Sequence, residues 1–281
     1  MNHLIGVMQG RLVPKFLGRY QAHPINYWKD EFAIAKDSGL DCIEFILDYS
    51  DAHMNPLLKK YGVDEILSIS EKTGVITTTV CADYFMAAPL HSLDESVANQ
   101  SIKILRELLV SSERLGITDI IIPCVDQSSL SSFEAVGRLV NKVRPMLDIA
   151  GKAGIKLNLE TDLGPHDFFE LLEKFDSKHV TVNYDIGNSA ALGFDSIEEL
   201  DAYGDRITDI HIKDRKLGAG SVELGKGDQT TGGVQNANCN CSPPTGFCVF
   251  GLISTNGAKL ALFPRLDWRM SASAKNQRDS P

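Results

Sequence analysis

Glu160, Asp185 and His211 stand on three successive apolar runs, IKLNLE (155–160), VTVNYD (180–185) and ITDIHI (207–212). Two carboxylates and an imidazole brought together make a mixed oxygen and nitrogen set suited to a divalent ion. Taken singly, each has an ordinary alternative. A strand-end acid caps the following helix about as often, and a lone histidine in DIHIKD is more often a hydrogen-bonded core residue. Their recurrence on three successive runs is what favours the metal reading.

Other polar residues lie close to these runs. Gln9 and Arg11 follow the first run and could reach a substrate hydroxyl or phosphate, with a plain surface loop as the alternative. Lys213 and Arg215 follow His211 and could hold a phosphate as point charge and fork, against a solvated loop. Glu44 has apolar neighbours and points either into the mouth or into a salt bridge. LGKGD lacks the G-x-x-x-x-G-K-[ST] spacing of a phosphate loop and reads as a turn near the site. His3, His23, His53, His91, His166 and His179 have no ligand-like spacing.

The elements that must position these groups alternate. Runs rich in Val and Ile occur at 4–8, 42–47, 75–80, 119–123, 155–160, 180–185 and 207–212. Near-continuous apolar runs of that length suit parallel strands covered on both faces. The periodicity predicts helices over 28–38, 64–73, 94–115, 132–153, 165–175 and 197–203, with caps such as Asp94 and Ser132 and glycine stops at positions 39, 74, 116 and 154. Seven such alternations point to an α/β fold of repeated βα units, a (β/α)8 TIM-type barrel, in which side chains from several strand ends meet at one mouth. The rival doubly wound sheet would want G-x-G-x-x-G after the first strand, and Gln9-Gly10-Arg11-Leu12 stands there instead.

Bulk composition narrows the function classes. The 281 residues are 43% hydrophobic and 23% charged, with a net charge of −9. That charge disfavours a nucleic-acid partner, because phosphate binding needs a basic face. No apolar run approaches the roughly 20 residues that cross a bilayer, and MNHLIGVMQGRL does not read as a secretory signal. The six cysteines show no regular spacing; Cys42, Cys81 and Cys124 read as small core residues. The expected location is the cytoplasm, and a homo-oligomer is compatible with the sequence.

GVMQGRL, NLETDL, NYDIGNSAALG, HIKDR and VELGKGD, in order from Leu4 to about Asp228, resemble the xylose isomerase-like family of barrels in its sugar-phosphate isomerase/epimerase branch. The resemblance implies a metal-dependent isomerase or epimerase acting on a small sugar or sugar phosphate through an enediolate. It places Glu160, Asp185 and His211 at the metal positions and Glu160 also at a catalytic acid/base position. Mn²⁺ or Zn²⁺ is the expected ion, with Mg²⁺ and Co²⁺ also compatible. Related ketose epimerases commonly carry a histidine three residues after the strand-six aspartate; Asn188 stands there, so substrate contacts differ. Family members commonly place a glutamate near the end of strand eight, as fourth ligand and second acid/base.

This chain has no glutamate after Glu223. Residues 1–228 hold 23 basic and 35 acidic residues, net −12, whereas 229–281 hold five and two, net +3. We therefore read 1–228 as the barrel body and 229–281 as an atypical segment, frameshifted, divergent or disordered, with the eighth βα unit atypical or missing. CVFGLIS (248–254) is the one surrogate strand in it. Two-base epimerisation is then expected to fail. Two rival functions remain open: a non-catalytic or degenerate metal- or sugar-binding barrel, and an apurinic-site endonuclease, which Ala82 and Pro123 at the strand tips and the acidic body disfavour.

Overall fold

The computed structural model describes residues 4–228 and, as backbone, 247–250. The seven apolar runs form strands β1 (Ile5–Met8), β2 (Cys42–Ile46), β3 (Thr79–Cys81), β4 (Asp119–Cys124), β5 (Lys156–Thr161), β6 (Val180–Asp185) and β7 (Ile207–Ile212). A short antiparallel ribbon follows, β8 (Asp214–Arg215) with β9 (Ser221–Val222). A last strand, β10 (Phe247–Phe250), pairs in parallel with both β1 and β7 and closes the ring in the order β1-β10-β7-β6-β5-β4-β3-β2. The barrel class is as the sequence implies. The eighth position is filled from within the segment read as atypical, by four residues overlapping CVFGLIS. The readings of 229–246 and 251–281 lie outside the described residues.

Around the ring lie α1 (Asp30–Asp37), α2 (Gly62–Thr73), α3 (Tyr84–Ala87), α4 (Glu95–Leu115), α5 (Phe133–Val143), α6 (Leu147–Ala153), α7 (Pro165–Phe175), α8 (Ile186–Leu192) and α9 (Ser196–Tyr203). Asp94 caps α4 by accepting the amides of Ser96 and Val97, and the Ser132 hydroxyl accepts that of Ala135 at the start of α5. The helix expected over 132–153 is two. Pro145 has no N–H to continue the ladder, and a 3-10 turn over Arg144–Met146 separates α5 from α6. The strand expected at 75–80 forms later, with only an isolated bridge from Ile76 to Cys42 before the ladder begins at Thr79.

Helix and strand faces share one core in which Phe32, Phe45, Leu57, Leu105 and Leu108 are fully buried. Each such side chain contributes about 1.5–3 kcal/mol of transfer free energy, which holds the strands in register. The ring interior combines a small apolar cluster of Met8, Ile46, Cys81 and Ile121 with a polar network. Thr208 meets Asp119 Oδ1 and Thr181, each at 3.0 Å, and Thr181 donates to Asn158 Oδ1 at 2.6 Å. Alternate residues of each strand point inward, so one strand supplies both core packing and site chemistry. Among the described residues no helix is long and apolar enough to cross a membrane, and Cys42, Cys81 and Cys124 are buried free thiols.

Candidate metal centre and sugar pocket

Asn158 and Glu160 on β5, Asn183 and Asp185 on β6, and Asp209 and His211 on β7 share inward strand positions, and the upper member of each pair reaches the carboxyl-terminal mouth. Glu160, Asp185 and His211 are all buried and each offers a donor atom within 4.8 Å of the others. His211 Nδ1 lies 3.7 Å from Glu160 Oε2 and 3.8 Å from Asp185 Oδ2. Amides hold the carboxylates in place. Asn183 Nδ2 donates to Glu160 Oε2 at 2.8 Å and Asn188 Nδ2 to Glu160 Oε1 at 2.6 Å. Asp185 Oδ1 also accepts the Asn188 amide, so it caps α8 while its other oxygen faces the mouth. The capping and metal-binding readings of this aspartate are therefore both served by one side chain.

The imidazole is gripped from behind. His211 Nε2 lies 2.9 Å from Glu44 Oε1 on β2, three strands away across the ring interior. Glu44 thus takes the salt-bridge alternative. With Nε2 held by Glu44, Nδ1 is turned to the two acids and lies 3.1 Å from Asn183 Nδ2. A carboxylate behind a ligating histidine fixes its tautomer and raises its basicity. Glu44, Asp209 and His211 form a second close set, but Glu44 and Asp209 do not line the cavity. Glu44→Gln is expected to weaken binding of Mn²⁺ or Zn²⁺ by about 10–100-fold without unfolding the barrel; calorimetric titration of the two proteins checks it.

The donor set fits a dication on its own electrostatics. Burial, and then the neighbouring charge of Asp185, pushes the Glu160 carboxyl up to about 7. Burial alone would raise Asp185 too, but Lys213 at 2.6 Å and His211 hold it below the ordinary carboxylate range. Burial opposes charge on His211, yet Glu44 and Asp185 raise it well above the usual histidine value. A metal ion must displace the protons of His211 and of Glu160. Each competing proton is worth a factor of ~10 per pH unit, so apparent affinity should fall more steeply below pH 7, where Glu160 joins His211. Metal titrations between pH 8 and pH 6 check this; a uniform slope would contradict it.

The remaining residues named from the sequence divide. Arg11, Asn188, Lys213 and Arg215 line the cavity with the three metal-type donors. Arg11 Nη2 donates to Gln21 Oε1 at 3.1 Å, and its Nε is buried with no protein partner among the described residues. Arg215 Nη1 donates to Asn188 Oδ1 at 2.7 Å while Nε and Nη2 reach the Ala219 carbonyl. Gln9 is elsewhere: fully buried, it does not line the cavity, and its Oε1 accepts the Ile46 amide at 3.1 Å and faces His23 Nδ1 at 3.0 Å. It braces the loop that carries Arg11. Glu31 does the same by accepting the amides of Gly10 and Leu12.

Two glycines permit these approaches. A Cβ on Gly10, at φ +84°, would meet the Tyr20 and Ala22 carbonyls at 2.1 and 2.5 Å. One on Gly187 would meet Lys213 Cγ at 2.5 Å, so Gly187 lets the β7 end pass close to α8 and bring Lys213 to Asp185. Asp214 Oδ2 accepts the amides of Gly225 and Gly227, which makes LGKGD the turn the sequence implied. Sequence reasoning did not single out Asp83 and Gln21, which also line the cavity. The cavity of ≈ 210 Å³ equals the space of about seven waters at ~30 Å³ each, the scale of a small polar molecule.

A family described as "Xylose isomerase-like TIM barrel" matches residues 32–235. A probable L-ribulose-5-phosphate 3-epimerase of Mycoplasma pneumoniae is 24% identical over 222 residues, which cover 76% of this chain and 69% of that one. The structure of an L-ribulose 3-epimerase superposes with a TM-score of 0.68 at 18% identity, covering 90% of this chain and 82% of that one. The IOLI protein with a bound zinc atom gives 0.68 at 17% identity, covering 89% and 88%. The two structures share the fold.

Proposed function

The chain belongs to the xylose isomerase-like TIM-barrel family, and from that premise we propose that it is a metal-dependent isomerase or epimerase of a ketose or ketose phosphate. The observation that carries this is the convergence of Glu160, Asp185 and His211 on one small polar cavity at the barrel mouth. These three side chains hold a divalent ion, Mn²⁺ or Zn²⁺ before Mg²⁺ or Co²⁺. Bound there, it supplies Lewis-acid stabilisation of the negative charge that develops on two adjacent substrate oxygens.

Glu160 is the base. Its carboxylate takes the proton α to the carbonyl and, as its conjugate acid, can return one. The amides of Asn183 and Asn188 aim it. Arg11 offers an unpartnered N–H to a substrate oxygen, and Arg215, braced by Asn188 and Ala219, offers a fork to hydroxyl or phosphate. Lys213 balances Asp185. The described residues offer three protein ligands at this position. The net −12 of residues 1–228 counts against the endonuclease reading.

The test is metal-loaded protein with L-ribulose and L-ribulose 5-phosphate in D₂O, followed by proton NMR. Loss of the signal from the hydrogen α to the carbonyl supports enolisation. A C–H signal that persists with both sugars across Mn²⁺, Zn²⁺, Mg²⁺ and Co²⁺ leaves the non-catalytic barrel as the better reading.

A further inference from the structure

Glu199 lies on α9 and is buried beside Tyr184 and Tyr203, whose rings stand 6.5 Å apart. A buried carboxyl group is costly unless its oxygens are satisfied. Among the described residues its partners are three hydroxyls. Tyr184 donates to Oε2 at 2.9 Å, Tyr203 to Oε1 at 2.8 Å, and the Ser189 hydroxyl also to Oε2. One side chain thus ties β6, α8 and α9 together. Tyr184 precedes Asp185 in β6, and Ser189 follows Asn188 in α8. Asn188 is where the polar contacts of the site meet. Its Nδ2 donates to Glu160 Oε1 at 2.6 Å, its Oδ1 accepts Arg215 Nη1 at 2.7 Å, and its backbone amide donates to Asp185 Oδ1 at 2.9 Å.

We propose that Glu199 is a positioning residue of this site, setting the rotation of α8 through Ser189 so that Asn188 aims Glu160; this rests on the enolisation reading above. Helix α8 has seven residues, and a helix that short does not hold itself in water. Its pose comes from tertiary anchors. At about 3.6 residues per turn, consecutive positions diverge by ~100°, so Asn188 and Ser189 face different ways. Asn188 lines the cavity, whereas Ser189 is buried against Glu199. Asp185 Oδ1 fixes the first turn of α8, and the Ser189–Glu199 bond adds a second anchor on another side, which sets the rotation. Tyr184 joins Glu199 to the strand that carries Asp185, so helix and strand are referred to one carboxyl group.

The two oxygens of Glu160 are held separately. Asn183, on β6 itself, holds Oε2, the oxygen 3.7 Å from His211 Nδ1. Asn188 holds Oε1, and its aim depends on α8. A turn of α8 therefore disturbs the Oε1 side of Glu160 more than the side next to His211. Proton transfer is sensitive to such a disturbance, since a misplacement of about 1 Å costs on the order of 10²-fold in rate. Loosening the Ser189 anchor should thus slow proton exchange more than it weakens metal binding.

The experiment uses the full-length protein and measures two things. One is deuterium wash-in at the α-carbon of L-ribulose 5-phosphate and L-ribulose in D₂O; the other is Mn²⁺ affinity by calorimetric titration. Ser189→Ala leaves both tyrosine bonds to Glu199 in place. It should slow wash-in at saturating sugar by about 10–10²-fold and change Mn²⁺ affinity less. Asn188→Ala should lose at least as much, and adding Ser189→Ala to it should slow wash-in no further, because residues acting through one another are not additive. Glu199→Ala should lose at least as much as Ser189→Ala. Glu199→Gln, which keeps an oxygen for the Ser189 hydroxyl, should recover most of that loss. Where Glu199→Ala fails to fold, the Ser189 and Asn188 series decides. Unchanged wash-in in Ser189→Ala, losses that multiply with Asn188→Ala, or Mn²⁺ affinity falling in step with wash-in overturns the positioning role alone. Absence of wash-in from the unmodified protein overturns the enolisation reading and the proposal with it.

Discussion

Glu160→Gln should lower deuterium wash-in at the substrate's α-carbon by about 10²–10⁴-fold, the usual worth of a positioned general base, while substrate binding changes little. The amide keeps the shape and one oxygen of the carboxylate, so it can still ligate and still fill the wall beside Asn183 and Asn188. It cannot accept the proton. Asn188 Nδ2 and Asn183 Nδ2 each donate to a different oxygen of Glu160, so one of them faces an NH₂ in the variant, and metal affinity should drop modestly. The measurement is NMR exchange rate beside binding affinity for the same sugar. Exchange at the unmodified rate would remove Glu160 from the mechanism, and a parallel loss of binding would make it a structural ligand only.

Replacing residues 229–281 by the strand-eight unit of a family member that ends in a glutamate should raise turnover by orders of magnitude, on the order of 10²–10³-fold, the scale of one well-placed electrostatic group in a preorganised site. The change supplies a fourth oxygen donor beside Glu160, Asp185 and His211 and steadies the charge that develops on the sugar. Turnover of both proteins on L-ribulose 5-phosphate is the readout. The chain as it stands should run well below ordinary enzyme rates of about 1–10³ per second. Ordinary rates in the unmodified chain would contradict the idea that the segment lacks something the site needs.

The barrel was legible because its strands are near-continuous runs such as DIIIP, and because caps such as Asp94 mark where helices begin. The metal-type donors were legible for a related reason: each stands at or next to the end of one of three successive apolar runs. What stayed hidden lies in contacts across the ring. Glu44 and His211 are 167 positions apart, and only closure of the barrel turns the inward side of β2 toward β7. Asp83 carries no local signal either: it lines the cavity because the barrel brings the end of β3 to the mouth. Gln9 was placed at the mouth by sequence proximity to Arg11, but alternation in β1 and the Ile46 amide draw it inward. The break at Pro145 could have been read from the sequence, because a helix spanning 132–153 would need an N–H that proline lacks.

The central claim is that Glu160, Asp185 and His211 bind one divalent ion at the mouth of this barrel. Elemental analysis and Mn²⁺ and Zn²⁺ titration of the unmodified protein, Asp185→Ala and His211→Ala test it most directly. The account expects one tightly held ion in the unmodified chain and loss of stoichiometric binding in both variants, because removing one of three ligands leaves two donors and an unbalanced buried charge. Metal content in both variants equal to that of the unmodified protein would contradict it.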